Sequence, residues 1–133
     1  MDLKKQKGKK INPIRDVMNK FKYSFQGMAY CFTHETSFIF ETIAMIGVVI
    51  CGILLDISFV EWIFSILSLL LIMEVEFLNT AIEATVDMVT QEYHPLAKIA
   101  KDCGSAATCM ASLMATIVNL VIFVPKVLPY IIK

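Results

Sequence analysis

Residues 59–95 read FVEWIFSILSLLLIMEVEFLNTAIEATVDMVTQEYHP, a run with no Gly or Pro before its final Pro95. Without a breaker, the run predicts one helix from Phe59 to His94; at about 1.5 Å per residue it reaches roughly 50 Å, longer than the roughly 30 Å hydrocarbon core of a bilayer. One end must therefore protrude. The uncharged stretch 62–73, together with Phe59 and Val60, belongs in lipid, and the protruding half carries Glu74, Glu76, Glu83, Asp87 and Glu92.

The rest of the chain agrees with a membrane setting. A composition of 57% hydrophobic and 18% charged residues over 133 positions is too oily for an ordinary soluble domain of this size. Residues 36–55 form a first apolar span, interrupted by Glu41 and uncharged from Thr42 to Leu55, while 103–125 contain no charged residue and exceed the roughly 20 positions a crossing needs. Upstream, Ile14, Val17, Met18, Phe21, Phe25, Met28 and Phe32 recur at spacings of three and four, with Arg15, Asp16, Asn19, Lys22 and Gln26 between them. That pattern is an amphipathic helix, suited equally to the membrane interface or to packing on other helices. The expected fold is all-α: a flexible basic tail over 1–13, then a single membrane-embedded domain over 14–133, in which an N-terminal interfacial helix precedes three transmembrane helices. Asn119, deep in the third span, calls for an interhelical hydrogen bond, and Gly104, Ser105, Ala106 and Ala107 read as a close-packing surface.

Zero formal net charge conceals a division. Eight of the twelve basic residues (Lys4, Lys5, Lys7, Lys9, Lys10, Arg15, Lys20 and Lys22) precede Tyr23, against Asp2 and Asp16. This leader predicts a cytoplasmic N-terminus facing anionic lipid headgroups, not a nucleic-acid partner. It is not expected to act as a signal peptide, because no apolar run follows it directly and no small-residue cleavage site appears. The turn at 56–61 has no Lys or Arg and falls outside; Lys98 and Lys101 return inside, and the third crossing leaves the C-terminus outside, weakly opposed by Lys126 and Lys133. Cys31, Cys51, Cys103 and Cys109 form no CxxC pair, so neither a disulfide nor a zinc site is expected.

At about 100° per residue, Asn79, Thr80, Glu83 and Asp87 all fall within about 60° of Glu76 around the helix axis, and Glu74 faces the other way. A solvated helix face would look the same, but this stripe begins beside lipid, where an ionised carboxylate is expensive unless paired or metal-bound. Carboxylates a turn or two apart supply hard oxygen ligands for Mg²⁺ and can leave one group free to accept a proton. Glu35 and Glu41, six apart, are expected on different sides of one helix and so unable to share a task; Glu35, nearer the cytoplasmic edge, is the better placed to meet the stripe. Lys98, Lys101 and Asp102 follow Pro95 at helical spacing, where a lysine suits a transferring phosphoryl group or merely snorkels to the interface.

The run from Glu76 to Asp87 (EFLNTAIEATVD) and the run from Glu92 to Asp102 (EYHPLAKIAKD) closely resemble the signature of the bacterial integral-membrane diacylglycerol kinase and undecaprenol kinase family. With the segment from Gly27 to Glu35, the resemblance covers about residues 14–124. It implies a homotrimer in the bacterial cytoplasmic membrane, transferring the γ-phosphate of ATP to a lipid hydroxyl at the cytoplasmic surface. The absence of GxxxxGK[ST] and GxGxxG accords with that family. Carried over position by position, Glu76 is the implied general base and Glu35 with Glu83 the implied metal ligands. Asn79 is implied to orient nucleotide or phosphate and Lys101 to contact the phosphates, with Asp102, Asp87 and Tyr23 in structural or nucleotide roles. Two positions depart from the pattern: Ile39 stands where the family usually has an arginine, and Gln26 where a lysine is common. The forms NTAIE at 79–83 and HPLAK at 94–98 look more like the undecaprenol branch, and GSAA at 104–107 also resembles the diacylglycerol branch. Outside catalysis, the acidic face would suit a cation or proton pathway, or a membrane subunit docking a soluble partner; a pathway would want acids through the full membrane depth, and the third span has none.

Overall fold

The computed structural model describes residues 13–132; the expected basic tail over 1–13 thus lies, but for Pro13, outside the described residues, and with it Lys4, Lys5, Lys7, Lys9 and Lys10. Four helices follow one another: α1 (Pro13–His34), α2 (Thr36–Leu54), α3 (Phe59–Val89) and α4 (Pro95–Ile131). Both α2 and α4 are long and apolar enough to cross a membrane, yet only 11% and 17% of their most apolar windows are buried within the chain. Apolar helices that turn most of their surface outward need a non-aqueous solvent, and the chain is a membrane protein on that ground.

Each junction has a local cause. Pro13 opens α1 at a position where its missing N–H is not needed. At its end Glu35 adopts an extended backbone (φ −106°, ψ 114°), and Thr33 turns its hydroxyl back onto the carbonyls of Ala29 and Tyr30 at 2.8 and 3.0 Å. The turn after α2 places Asp56 at φ 47°, a left-handed conformation that a short polar side chain tolerates. Ser58 then caps α3 reciprocally: its hydroxyl accepts from the Glu61 N–H at 3.4 Å while Glu61 Oε2 accepts from the Ser58 N–H at 2.6 Å.

The third helix ends sooner than the unbroken run to His94 implied. Thr90 turns extended and its hydroxyl accepts from the Glu92 N–H at 3.1 Å, replacing helical bonds with a local turn. His94, held in the β region by the following proline, caps α4 by accepting from the Leu96 N–H at 3.2 Å. Pro125 and Pro129 do not end α4, which runs on to Ile131.

The principal packing is the α3–α4 hairpin. On α4 the buried positions Gly104, Ala111, Ala115 and Ile122 recur at intervals of seven and four, a seam of small side chains that lets two backbones approach. Against α4 stand Ser65, Ser68, Leu69 and Ile72 of α3, while the buried Glu76 and Thr80 find partners in Ser37 of α2 and Cys31 of α1. Leu69, Ile72, Ala111 and Ala115 form the apolar centre, with Met45 and Val48 of α2 against it. Asn119 finds its expected interhelical partners: it accepts from Ser65 Oγ at 2.5 Å and donates to Ser68 Oγ at 3.3 Å. Of the GSAA stretch only Gly104 faces α3; Ser105, Ala106 and Ala107 are exposed, because successive residues turn round the helix and cannot share its seam. At the far end Lys126 pairs with Glu61 at 3.1 Å, both half-buried.

The α2–α3 corner is as tight as the hairpin. A Cβ on Gly52 would stand 2.5 Å and 2.7 Å from the Trp62 ring and 3.0 Å from Ile57 Cδ1. Gly52→Ala should therefore destabilise the fold by about 1–3 kcal/mol through overpacking, read as a lower thermal midpoint in detergent micelles. Gly47→Ala, whose Cβ would meet nothing within 4 Å, is the matched control and should leave the midpoint unchanged or raise it.

Candidate functional site

The stripe on α3 passes from dry to wet. Glu76 and Thr80 are buried, at 7% and 8% exposure, Glu83 is half-buried, and Asp87 is exposed. At about 1.5 Å per residue, Asp87 stands roughly 16 Å along the helix from Glu76, so one face joins the packed interior to the polar end of the hairpin.

Glu76 is the deepest of these carboxylates. Ser37, in the first turn of α2, donates its hydroxyl to Glu76 Oε1. Cys31, at the end of α1, is buried within the fields of Glu35 and Glu76; burial pushes its thiol above the ordinary range and both carboxylates add to this, against a hydrogen bond with Thr80. Three helices thus converge on Glu76. Phe38, wholly buried, meets Phe77 in a tilted ring contact with 4.6 Å between centroids, fixing the start of α2 against α3.

One expectation changes. Glu35 and Glu41 were expected on different sides of a single helix, but Glu35 precedes α2 in an extended conformation and follows no helical wheel. Glu41, inside α2, lies near enough to Glu76 for the two carboxylates to interact, and its Oε2 is buried without a hydrogen-bond partner.

Lower on the stripe, Asn79 Nδ2 donates to Glu83 Oε1 at 3.1 Å, and Asn79 Oδ1 is buried with no partner. Lys101 pairs with Asp87 at 2.6 Å, and Lys98 pairs with Asp102 four residues on. These four charges, with Tyr93 and His94, line a polar cleft of about 320 Å³. On the dry side, Glu41, Val48, Leu69, Ala115, Asn119 and Phe123 line an otherwise apolar groove of about 640 Å³. Tyr23 stands exposed on α1 and makes no hydrogen bond to the stripe. Ile39 and Gln26 are likewise exposed.

The donor chemistry suits Mg²⁺ shared with a substrate. Among the described residues no three His, Cys, Asp or Glu side chains converge. Mg²⁺, however, commonly takes one or two carboxylates and completes its shell with phosphate oxygens and water. Glu35 makes no capping hydrogen bond with its side chain and Glu83 uses one oxygen for Asn79, which leaves hard oxygen donors on both.

Sequence reasoning missed Ser37, Cys31 and Glu41. Ser37 had a weak signal, a hydroxyl one turn into a helix after an acidic residue, but its partner lies 39 positions away.

These features define an integral-membrane helical protein with a buried carboxylate on α3, an apolar groove that includes Glu41 and a charge-lined cleft that includes Asp87. The chain belongs to the prokaryotic diacylglycerol kinase family, whose model matches residues 22–123, and it is a lipid kinase. It is 40% identical over 116 residues to the undecaprenol kinase of Bacillus subtilis, covering 84% of this chain and 94% of that protein. The diacylglycerol kinase of Escherichia coli K12 is 40% identical over 95 residues, 71% of this chain and 78% of its own. That of Pseudomonas aeruginosa is 41% identical over 106 residues, 78% of this chain and 85% of its own.

Ser37→Ala would remove a hydrogen bond to a buried carboxylate. A bond to a charged group contributes about 1.5–3 kcal/mol to stability, so Ser37→Ala should destabilise the fold by about that amount. The thermal midpoint in micelles would measure this, and Ser37→Thr should restore most of the loss.

Proposed function

We propose that this chain phosphorylates undecaprenol with ATP and Mg²⁺, yielding undecaprenyl phosphate, at the cytoplasmic face of the bacterial plasma membrane. The observation that carries the reading is the buried, hydrogen-bonded Glu76 on a stripe of α3 that runs on to Asp87 in the polar cleft. A lipid alcohol reaches such a carboxylate from the apolar side, and nucleotide phosphates from the wet side. The choice of polyprenol is supported by the Bacillus subtilis undecaprenol kinase, whose similarity spans nearly its whole length. The diacylglycerol kinases among the relatives support diacylglycerol as the second substrate to test.

In this mechanism Glu76 accepts the hydroxyl proton, the lipid oxygen attacks the γ-phosphorus, and the bond to the ADP oxygen breaks. Glu35 and Glu83 would hold Mg²⁺, which would supply positive charge to neutralise the phosphates. Asn79 orients Glu83 and the phosphates. Lys101 contacts the phosphates, and Asp87, Asp102 and Tyr23 serve the nucleotide side. Phosphoryl transfer depends mainly on positioning and charge stabilisation, so this short set is sufficient. The protein works as a homotrimer, because one protomer with so much outward surface has little room to enclose both ATP and a lipid. Residues 13–34 lie at the cytoplasmic interface with their cations toward anionic headgroups, and three crossings follow. Lys126, whose charge opposed that orientation, is matched by Glu61. A cation pathway is less well supported, since Asn119 spends its polar groups on Ser65, Ser68 and the Ala115 carbonyl.

ATP consumption by the purified protein with Mg²⁺ in mixed micelles should be faster with undecaprenol than with diacylglycerol. Glu76→Gln should abolish turnover and leave ATP and Mg²⁺ binding mostly intact, whereas Glu83→Gln should weaken binding as well. Wild-type turnover in Glu76→Gln would reject the general-base role, and no turnover with either lipid in folded trimer would reject the enzyme.

A further inference from the structure

Asn79 and Gly104 face each other where α3 and α4 pack beside the acidic site. Gly104 is buried in the middle of a long helix, where propensity alone favours alanine. A Cβ built there would run into Asn79 Oδ1 and would stand 3.3 Å from its Cγ and 3.9 Å from its Cα. The Asn79 carboxamide therefore occupies the space that any side chain at 104 would take. Its Nδ2 is committed to Glu83 Oε1 at 3.1 Å, and its buried Oδ1 has no partner. With only one hydrogen bond to orient it, the carboxamide is held chiefly by the backbone of α4 against which it lies.

We propose that Gly104 is a positioning residue: the missing side chain on α4 seats the Asn79 carboxamide so that it holds the Glu83 carboxylate in the orientation needed for a metal–nucleotide complex. This rests on reading Glu83 as a metal ligand. Residue 104 touches neither substrate nor metal and acts wholly through Asn79. Adding a methyl group there turns the carboxamide away, and Glu83 loses its only hydrogen bond among the described residues.

The test is a double-mutant cycle in the full chain, with Gly104→Ala, Asn79→Ala and the pair, following Mn²⁺–ATP affinity without lipid and the thermal midpoint in micelles. Groups that orient a metal-bound ligand typically change affinity about ten- to hundredfold, and each single substitution should weaken binding by that amount. The pair should be no worse than Asn79→Ala alone, because alanine at 79 leaves room for the new methyl. If Gly104→Ala is itself unstable, Asn79→Ala should restore the midpoint. Wild-type affinity in a folded Gly104→Ala, losses that multiply in the pair, or a pair that stays unfolded would overturn the proposal. Wild-type affinity in Asn79→Ala would overturn the proposal and leave Glu83 a ligand, whereas wild-type affinity in Glu83→Gln would overturn the metal reading on which it rests, which separates the two failures.

Discussion

The close approach of α3 and α4 through Gly104, Ala111 and Ala115 is the contact on which the other features depend. Between helices whose outer surfaces are apolar, a polar side chain is tolerable only where a neighbouring helix shields it from lipid and supplies a partner. Against α4, Ser65 and Ser68 of α3 share hydrogen bonds with Asn119. Glu76 is sheltered from the other side, where Ser37 of α2 donates to it.

Depth divides the labour of the stripe. Glu76 is buried with one hydroxyl donor, while the exposed Asp87–Lys101 and Lys98–Asp102 pairs interact in a polar, hydrated setting. Exposed ion pairs of this kind contribute little to stability, on the order of 0–1 kcal/mol. Glu76 on α3 is thus buried, while Lys101 on α4 meets Asp87 at the polar end of the hairpin.

The break at Glu35 supplies what α3 alone lacks. Because the chain leaves α1 in an extended conformation and re-enters a helix at Thr36, Cys31, Glu35, Ser37 and Phe38 all gather at one corner of the hairpin. A continuous helix would have distributed them round its circumference.

By itself the sequence determined the membrane setting, the helical class, the long acidic helix and the stripe from Glu76 to Asp87, since these follow from composition and from a period of 3.6 residues within one element. It also required a partner for Asn119, because an amide in an apolar span cannot go unpaired. Only the tertiary structure decided that the partner is Ser65 with Ser68, that Ser37 donates to Glu76, and that Gly104 lies under Asn79. Those pairs join residues 25 to 54 positions apart on different helices. Helical periodicity says which way a side chain points from its own axis, and nothing about which axis stands opposite.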